Sequence, residues 1–337
     1  MSGDYTLQRY KKKCIYARKS DFSVKLLHEW KKSSTFADKM KHKMTDELYI
    51  ARCLQLAQLG EYYVAPNPMV GAVLVKHIVE GGADKEVILG EGWHMQYGGP
   101  HADPNCLRNA EEKHNNEIDY KRCTLYVSLE PCSHYGKTPP CAELIIQKGI
   151  GRVVIGCLDP NPRVAGRGVK MMQDAGIEVV VGVLEEECRE LNKRFICLQE
   201  KKRPYVVLKW AQTADGYIDI ERRGGSPLVI STPLMKQLVH EQRAKNMAIM
   251  VGTNTVLLDN PRLMTTHWSG RNPIRITLDR HGVLPADSKI FSNEAKTIVY
   301  RDNTNWEFIL SDLAARNIHS ILVEGGSTLL NNIIASG

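Results

Sequence analysis

From Thr45 the chain carries a helical period: Leu48, Ala51, Leu54, Ala57 and Leu59 fall near one face, and Gly60 ends it. VGAVLV (70–75) then reads as a buried strand, and EVILGEGWH (86–94) as a second one leading to a glycine-rich turn before His101. TLYVSL (124–129) is a third strand. CAELIIQKGI (141–150) is a helix feeding GRVVIGCLD (151–159), a fourth strand, and GVKMMQDAGIEVVVG (168–182) adds one more helix and strand. Strands alternating with helices at this spacing predict an α/β layered domain with a mostly parallel sheet. The charged helical stretch LEEECRELNKRFICLQEKKRP (184–204) reads as a connector. Past Pro204 a second α/β pattern begins, with YVVLKWAQTADGYID (205–219), a helix at 233–245, and strands in MAIMVG (247–252), IRITLD (274–279), KTIVY (296–300) and SILVEGG (320–326). No internal repeat or low-complexity segment is apparent. Two α/β domains in series is the expected organisation: 44–190 and 191–337, behind an extension over 1–43.

A chain of 337 residues with 43% apolar and 25% charged residues has the composition of a soluble globular protein. No apolar run approaches the ~20 residues of a membrane span, and the amino terminus lacks the apolar core of a secretory signal, so a cytoplasmic protein is expected. Nine cysteines, an odd number without the density of a secreted scaffold, argue for reduced thiols and at most a metal site. The net charge of +7 is unevenly placed: residues 1–43 hold 12 Lys and Arg against 4 acids, which leaves the remainder at −1. Such an arm could hold RNA through phosphate contacts. Composition favours a poorly ordered, solvated extension, and the well-patterned helix opening at Met44 suggests that the functional chain starts there.

GGPHADPNC (98–106) places His101 two positions before a carboxylate, and LEPCSHYGKTPPC (129–141) supplies Cys132 and Cys141. A catalytic zinc takes three protein ligands and keeps a fourth position for water, and one imidazole with two thiolates suits this borderline-soft ion. His101 stands at an expected helix start. Cys132 follows Pro131 at the end of a strand, where another helix would begin, so both lie at the edge where an α/β sheet exposes its sites. Zinc deaminases carry H-x-E with P-C-x-x-C. Here the cysteines are further apart, with SHYGKTPP between them, and Asp103 stands where Glu would be the usual acid/base.

These stretches, together with APNPMVGAVLV, GEGWH, GIGRVVIGCLDPNPRVAGRG and AGIEVVVG, resemble the deaminase half of the bifunctional riboflavin-biosynthesis deaminase/reductase family. The similarity runs from about residue 45 to the end. It implies a cytidine-deaminase-like domain that hydrolyses the amino group from 2,5-diamino-6-ribosylamino-4(3H)-pyrimidinone 5′-phosphate. By that resemblance His101, Cys132 and Cys141 bind zinc and Asp103 is the catalytic carboxylate. Asn67, His94 and His134 contact the substrate, and Lys137 meets its phosphate, for which a flexible ammonium is a suitable partner. DPNPRVAGRG, with Asn161 and Pro162, reads chiefly as a turn-rich loop shaping the site's edge.

VVLKWAQTADGYID, HEQRAKNMAIMVGTNTVLLDNPRL, NPIRITLD and ILVEGGSTLL resemble the family's reductase half. That implies a dihydrofolate-reductase-like domain using NADPH to reduce the ribose to a ribityl chain. No G-x-G-x-x-G follows the first strand, so a Rossmann reading lacks its warrant; instead EGGSTLL puts two glycines at a helix start suited to a cofactor phosphate. The resemblance implies Lys209 and Glu324 as catalytic groups, and Arg243 and Leu263 as substrate contacts. Thr253, Asp259, Gly325, Gly326 and Ser327 would lie at the cofactor. Three departures stand out. Val229 occupies the position nearest a frequent Trp, Thr266 and His267 stand where an Arg is frequent, and the chain ends at NNIIASG while the family continues. The expectation is therefore a bifunctional enzyme, a homo-oligomer acting on a small pyrimidine nucleotide, with a deaminase weakened by Asp103. The alternatives are a single working half, through Asp103 or through a reductase impaired by truncation, or, from another class, an RNA-editing deaminase.

Overall fold

The computed structural model describes residues 46–80, 83–135, 139–161, 164–221 and 228–336. The expected extension over 1–43, together with Lys137 and Pro162, lies outside the described residues.

Helix α1 (Asp46–Gln58) opens with Asp46 and Glu47, carboxylates that complement the positive end of a helix dipole. Its buried face is wider than the expected stripe, because Tyr49, Ile50, Cys53 and Leu56 join Ala51, Leu54 and Ala57. Leu59 lies beyond the helix and is 56% exposed, so it does not belong to that face. The first sheet has the order β2-β1-β3-β4-β5, from β1 (Gly71–Glu80), β2 (Ala83–Trp93), β3 (Cys123–Leu129), β4 (Arg152–Cys157) and β5 (Glu178–Val181). It is mixed, which corrects the mostly parallel expectation: β1 pairs antiparallel with both β2 and β3, and only β3–β4 and β4–β5 are parallel. The hydropathy pattern ended β1 at Val75, but the strand runs on through Lys76 and His77. His77 is accommodated there by Glu86 at 3.2 Å and Thr124 at 2.8 Å, so polar cross-strand partners extend it where apolar residues stop. Helices α2 (Ala102–Lys113), α3 (Cys141–Lys148) and α4 (Arg167–Asp174) complete this layer.

The connector forms two short helices, α5 (Glu185–Leu191) and α6 (Lys193–Lys201), meeting at the buried Asn192. Cys188 of α5 is buried in the cluster of Tyr49, Leu54, Tyr126 and Val154, while the Lys193 ammonium of α6 lies over the Tyr205 ring at 5.5 Å. The second sheet is wholly parallel, in the order β6-β10-β7-β8-β9, from β6 (Tyr205–Leu208), β7 (Ala248–Val251), β8 (Ile274–Leu278), β9 (Thr297–Tyr300) and β10 (Ser320–Val323). Its helices are α7 (Pro233–Lys245), α8 (Thr253–Asp259), α9 (Trp306–Ala315) and α10 (Ser327–Ala335). The carboxyl ends of the parallel strands bring Lys209, Gly252, Asp279 and Glu324 to one edge, where such sheets bind ligands.

Candidate functional site

His101 is the residue before α2, whose start is fixed by close contact with β2. A Cβ on Gly92 would lie 2.2 Å from the Cys106 nitrogen, and one on Gly90 would lie 2.6 Å from the Cys106 carbonyl oxygen. Only glycine lets the helix lie this close, and that contact holds His101 and Asp103 at the end of β2. Cys132 follows β3 in irregular backbone. The expected helix start at Cys132 is displaced to Cys141, the first residue of α3, since Pro139 and Pro140 intervene and proline suits the entry of a helix rather than its interior.

The three donors converge. His101 Nδ1 lies 3.6 Å from Cys132 Sγ and 3.4 Å from Cys141 Sγ, and all three atoms are within 4.8 Å of one another. Tetrahedral zinc, with bonds of about 2.3 Å to sulfur and about 2.0 Å to nitrogen, sets N···S edges of about 3.5 Å. The residues therefore fit this ion in donor chemistry and in spacing. The Cys132 thiol is pushed down to about 4 by the Cys141 thiol hydrogen-bonded to it, with His101 and the Cys141 backbone N–H adding to the effect against the opposing cost of burial. That N–H donates to Cys132 Sγ at 3.2 Å.

Asp103 is 3% exposed, and its Oδ1 has no hydrogen-bond partner. Burial, reinforced by the neighbouring Cys132, pushes its carboxyl up to about 6, against the Cys141 thiol hydrogen-bonded to it. His94 is buried beside His101, their rings 5.4 Å apart and edge to face. With His94 Nδ1–H donating to Pro100 O at 2.8 Å, Nε2 becomes an acceptor for Asn67 Nδ2 at 3.0 Å. Burial lowers the His94 pKa and so favours this neutral form. His134 is exposed on the loop after Cys132.

In the second half the strand register sets Lys209 beside Glu324, for Leu208 pairs with Val323 and the Lys209 N–H donates to Val323 O at 2.9 Å. Glu324 and Arg243, expected as separate catalytic and substrate-binding groups, are partners: Nε donates to Oε1 at 2.9 Å and Nη2 to Oε2 at 2.7 Å. Arg243 Nη1 also donates to Met264 O at 3.0 Å. Gly325 has φ +102°, a conformation that favours glycine, and Gly326 precedes α10, whose first residue is Ser327. Thr253 opens α8 and donates its hydroxyl to Leu278 O at 2.7 Å, and the Gly252 N–H donates to Gly325 O at 3.3 Å. These groups form one cradle. Asp259 stands at the opposite end of α8, about 9 Å along the axis from Thr253, so the structure does not gather it with them. The Leu263 side chain is buried among Ile249, Val251 and Val256, which leaves only its backbone, at φ 56°, to face a substrate.

Residues 43–157 match the family model described as the cytidine and deoxycytidylate deaminase zinc-binding region, and residues 204–337 match the RibD C-terminal domain. The riboflavin biosynthesis protein RibD of Aquifex aeolicus is 40% identical over 314 residues, 87% of this chain and 84% of the relative; that of Escherichia coli is 36% identical over 87% and 85%. This chain belongs to the RibD family. Among solved structures it is similar to a diaminohydroxyphosphoribosylaminopyrimidine deaminase/5-amino-6-(5-phosphoribosylamino)uracil reductase from Thermotoga maritima, with TM-score 0.76 and 41% identity over 87% of this chain and 84% of that one. It is also similar to Acinetobacter baumannii RibD, with TM-score 0.76 and 33% identity over 87% and 83%. As in the RibD family, a cytidine-deaminase-like domain precedes a dihydrofolate-reductase-like one.

Three residues that sequence reasoning passed over organise the two candidate sites. Glu130 is buried, and its carboxylate accepts from the backbone N–H groups of Asp159, Gly166 and Gly168 at 3.3, 2.9 and 3.0 Å, tying the DPNPRVAGRG loop to the end of β3. An acid inside LEPC was the available signal. Thr255 Oγ1 accepts from the Gly326 N–H at 3.1 Å, and Asn192 clamps Met69; neither had a local signal, because each partner is distant in sequence. At the expected departures, Val229 is 84% exposed, and His267 stacks edge to face on the buried His240 at 4.7 Å.

Proposed function

We propose that this RibD-family chain carries out two successive steps of riboflavin synthesis. The first is zinc-dependent hydrolytic deamination of 2,5-diamino-6-ribosylamino-4(3H)-pyrimidinone 5′-phosphate, and the second is NADPH-dependent reduction of its ribose to a ribityl chain. We take the two domains as 44–190 and 191–337. The observation that carries the reading is the convergence of His101, Cys132 and Cys141 at tetrahedral spacing with the buried Asp103 beside them. Bound there, zinc supplies Lewis-acid activation of water. Asp103 takes the water proton and passes it to the leaving amine. Asn67 and His94 orient the pyrimidine, their neutral hydrogen-bond pair leaving the Asn67 amide oxygen to accept from a ring N–H. His134 also contacts the substrate, and Lys137 meets its ribose phosphate.

In the second half NADPH supplies hydride when bound. Gly325, Gly326 and Ser327, with Thr253, hold its phosphate at the start of α10, while Asp259 lies more remotely. Lys209 donates a proton at the sugar, Glu324 sets its electrostatic surroundings, and the Leu263 backbone with the remaining Arg243 N–H groups contacts the substrate. Among the described residues no helix is long and apolar enough to cross a membrane. We place the protein in the cytoplasm as a homo-oligomer.

Asp103 is one methylene shorter than the usual Glu, and the close packing of α2 on β2 at Gly92 and Cys106 holds the helix that carries it. Asp103→Glu is therefore expected to raise ammonia release, by up to about 100-fold, since ~1 Å of misplacement costs that much. Ammonia release and NADPH oxidation by the zinc-loaded chain, assayed separately on the successive substrates, test the function. Absence of both refutes it. Unchanged or slower turnover in Asp103→Glu would show that the shorter acid is already well placed.

A further inference from the structure

Asn67 lies on the segment 59–70 between α1 and β1, and two clamps hold that segment on either side of it. On one side the Met69 N–H donates to Asn192 Oδ1 at 2.8 Å, and Asn192 Nδ2 donates back to Met69 O at 2.8 Å. On the other side Ala65 O accepts from Arg271 Nη1 at 2.5 Å. Asn192 belongs to the connector and Arg271 to the reductase half, so both clamps come from outside the sheet that carries the zinc ligands.

The loop bearing Arg271 is itself firmly seated. Asn272 Oδ1 accepts from the Thr265 N–H at 3.0 Å and from its hydroxyl at 2.7 Å, closing the loop at its base. Gly270, at φ +131°, is wedged between α7 and the other half: a Cβ there would meet Ala244 Cβ of α7 at 3.0 Å and Tyr62 Cβ of the amino-terminal half at 3.4 Å. Around it Tyr62 donates to Glu241 at 3.2 Å, its ring lies 6.3 Å from that of Trp268, and Lys245 joins Glu61 at 2.9 Å to Glu241 at 3.2 Å. A guanidinium held this way is a fixed donor, and a hydrogen bond from a charged donor is roughly twice as strong as a neutral one.

We propose that Arg271, from the reductase half, is a positioning residue of the deamination site. By holding the Ala65 carbonyl it sets the backbone two residues before Asn67, and so the angle at which the Asn67 amide meets His94 Nε2 and the pyrimidine. The deaminase centre is thus completed across the boundary between the halves. The proposal rests on the reading of Asn67 as a substrate contact. Arg243 has its own partners, both carboxylate oxygens of Glu324 and the Met264 carbonyl.

The test compares full-length, zinc-loaded chains. Arg271→Met is expected to raise KM for the pyrimidine in ammonia release about 10-fold with kcat changed less than about 3-fold, because a contact that orients bound substrate is lost while the zinc ligands and Asp103 stay in place. NADPH oxidation on the deaminated substrate stays at the level of the unaltered chain, and Arg271→Lys recovers part of the loss. In an Asn67→Ala background Arg271→Met adds nothing further. An unchanged KM, an additive effect on Asn67→Ala, or a fall of both activities together would overturn the proposal. Calorimetric binding of the same pyrimidine nucleotide, with Asp103→Asn in every chain compared, gives this comparison without turnover, whereas ammonia release by the unaltered chain reports on the proposed function itself.

Discussion

In the amino-terminal half three soft donors face one another within 4.8 Å, and the Asp103 oxygen beside them has no hydrogen-bond partner. In the carboxy-terminal half two of the charged groups are paired: Arg243 grips both oxygens of Glu324, and these side chains are only 15% and 8% exposed. The first centre is arranged for something added to it. The second has a buried ion pair at its heart. Removing an ion should therefore cripple one half and spare the other, while removing a side chain from the buried pair should cost folding free energy as well as activity.

The largest contrast comes from the metal. Cys141→Ala, or a strong chelator, is expected to bring ammonia release to the uncatalysed background while NADPH oxidation on the deaminated substrate persists. Metal analysis beside the two assays checks this, and parallel loss of both activities would mean that the halves do not stand apart. Next in size is Glu324→Leu. Breaking a buried ion pair from one side leaves a charge uncompensated, so this variant should lose about 3 kcal/mol of stability along with NADPH-dependent turnover. Denaturant unfolding would show it. The double variant Arg243→Met/Glu324→Leu should regain stability without regaining turnover.

A smaller effect belongs to pH. His319 is buried beside β10, bonded to Asn317 Oδ1 at 2.9 Å, and burial with the nearby Arg271 pushes its pKa from 6.5 down to about 4. Below about 6.5 the unfolded chain takes up a proton that the folded chain refuses until about 4, so stability falls as pH drops through that window. The contribution is complete above 6.5 and lost below 4. Denaturation midpoints at pH 7 and pH 5 should differ less in His319→Gln than in the unaltered chain, and equal slopes would show that His319 is not the group responsible.

The same contrast explains what was legible in the sequence. The zinc ligands could be read because an ion demands particular atoms, and H-A-D, P-C and P-P-C carry those atoms in short motifs. Helix α7 was read to its bounds, Pro233–Lys245, since apolar spacing and a Thr-Pro start are local signals. The antiparallel hairpin of β1 and β2 was missed, because strand direction depends on tertiary pairing; so was the polar end of β1, whose partners Glu86 and Thr124 lie on other strands. In the second site residue identities carried over by resemblance, but the partnership of Arg243 with Glu324 spans 81 residues and no spacing rule announces it. Asn192 and Arg271 were silent for the same reason: each acts on a backbone group, which every residue possesses.

The smallest expected effect sharpens the contrast within the second half. Thr255, on α8, accepts the Gly326 N–H at 3.1 Å, and so braces from a neighbouring element the turn proposed to hold the cofactor phosphate. Thr255→Val keeps the shape and removes the acceptor. An unmade hydrogen bond of this kind is worth about 1 kcal/mol, so NADPH should bind about 5-fold more weakly, as followed by its fluorescence. Zinc content and ammonia release should not move. The loss is small because the turn has further support, from the Gly252 N–H on Gly325 O at 3.3 Å and from the backbone preference of Gly325 at φ +102°. A loss as large as that in Glu324→Leu would mean that the cradle has no such redundancy, and that the second site, like the first, depends on single atoms in place.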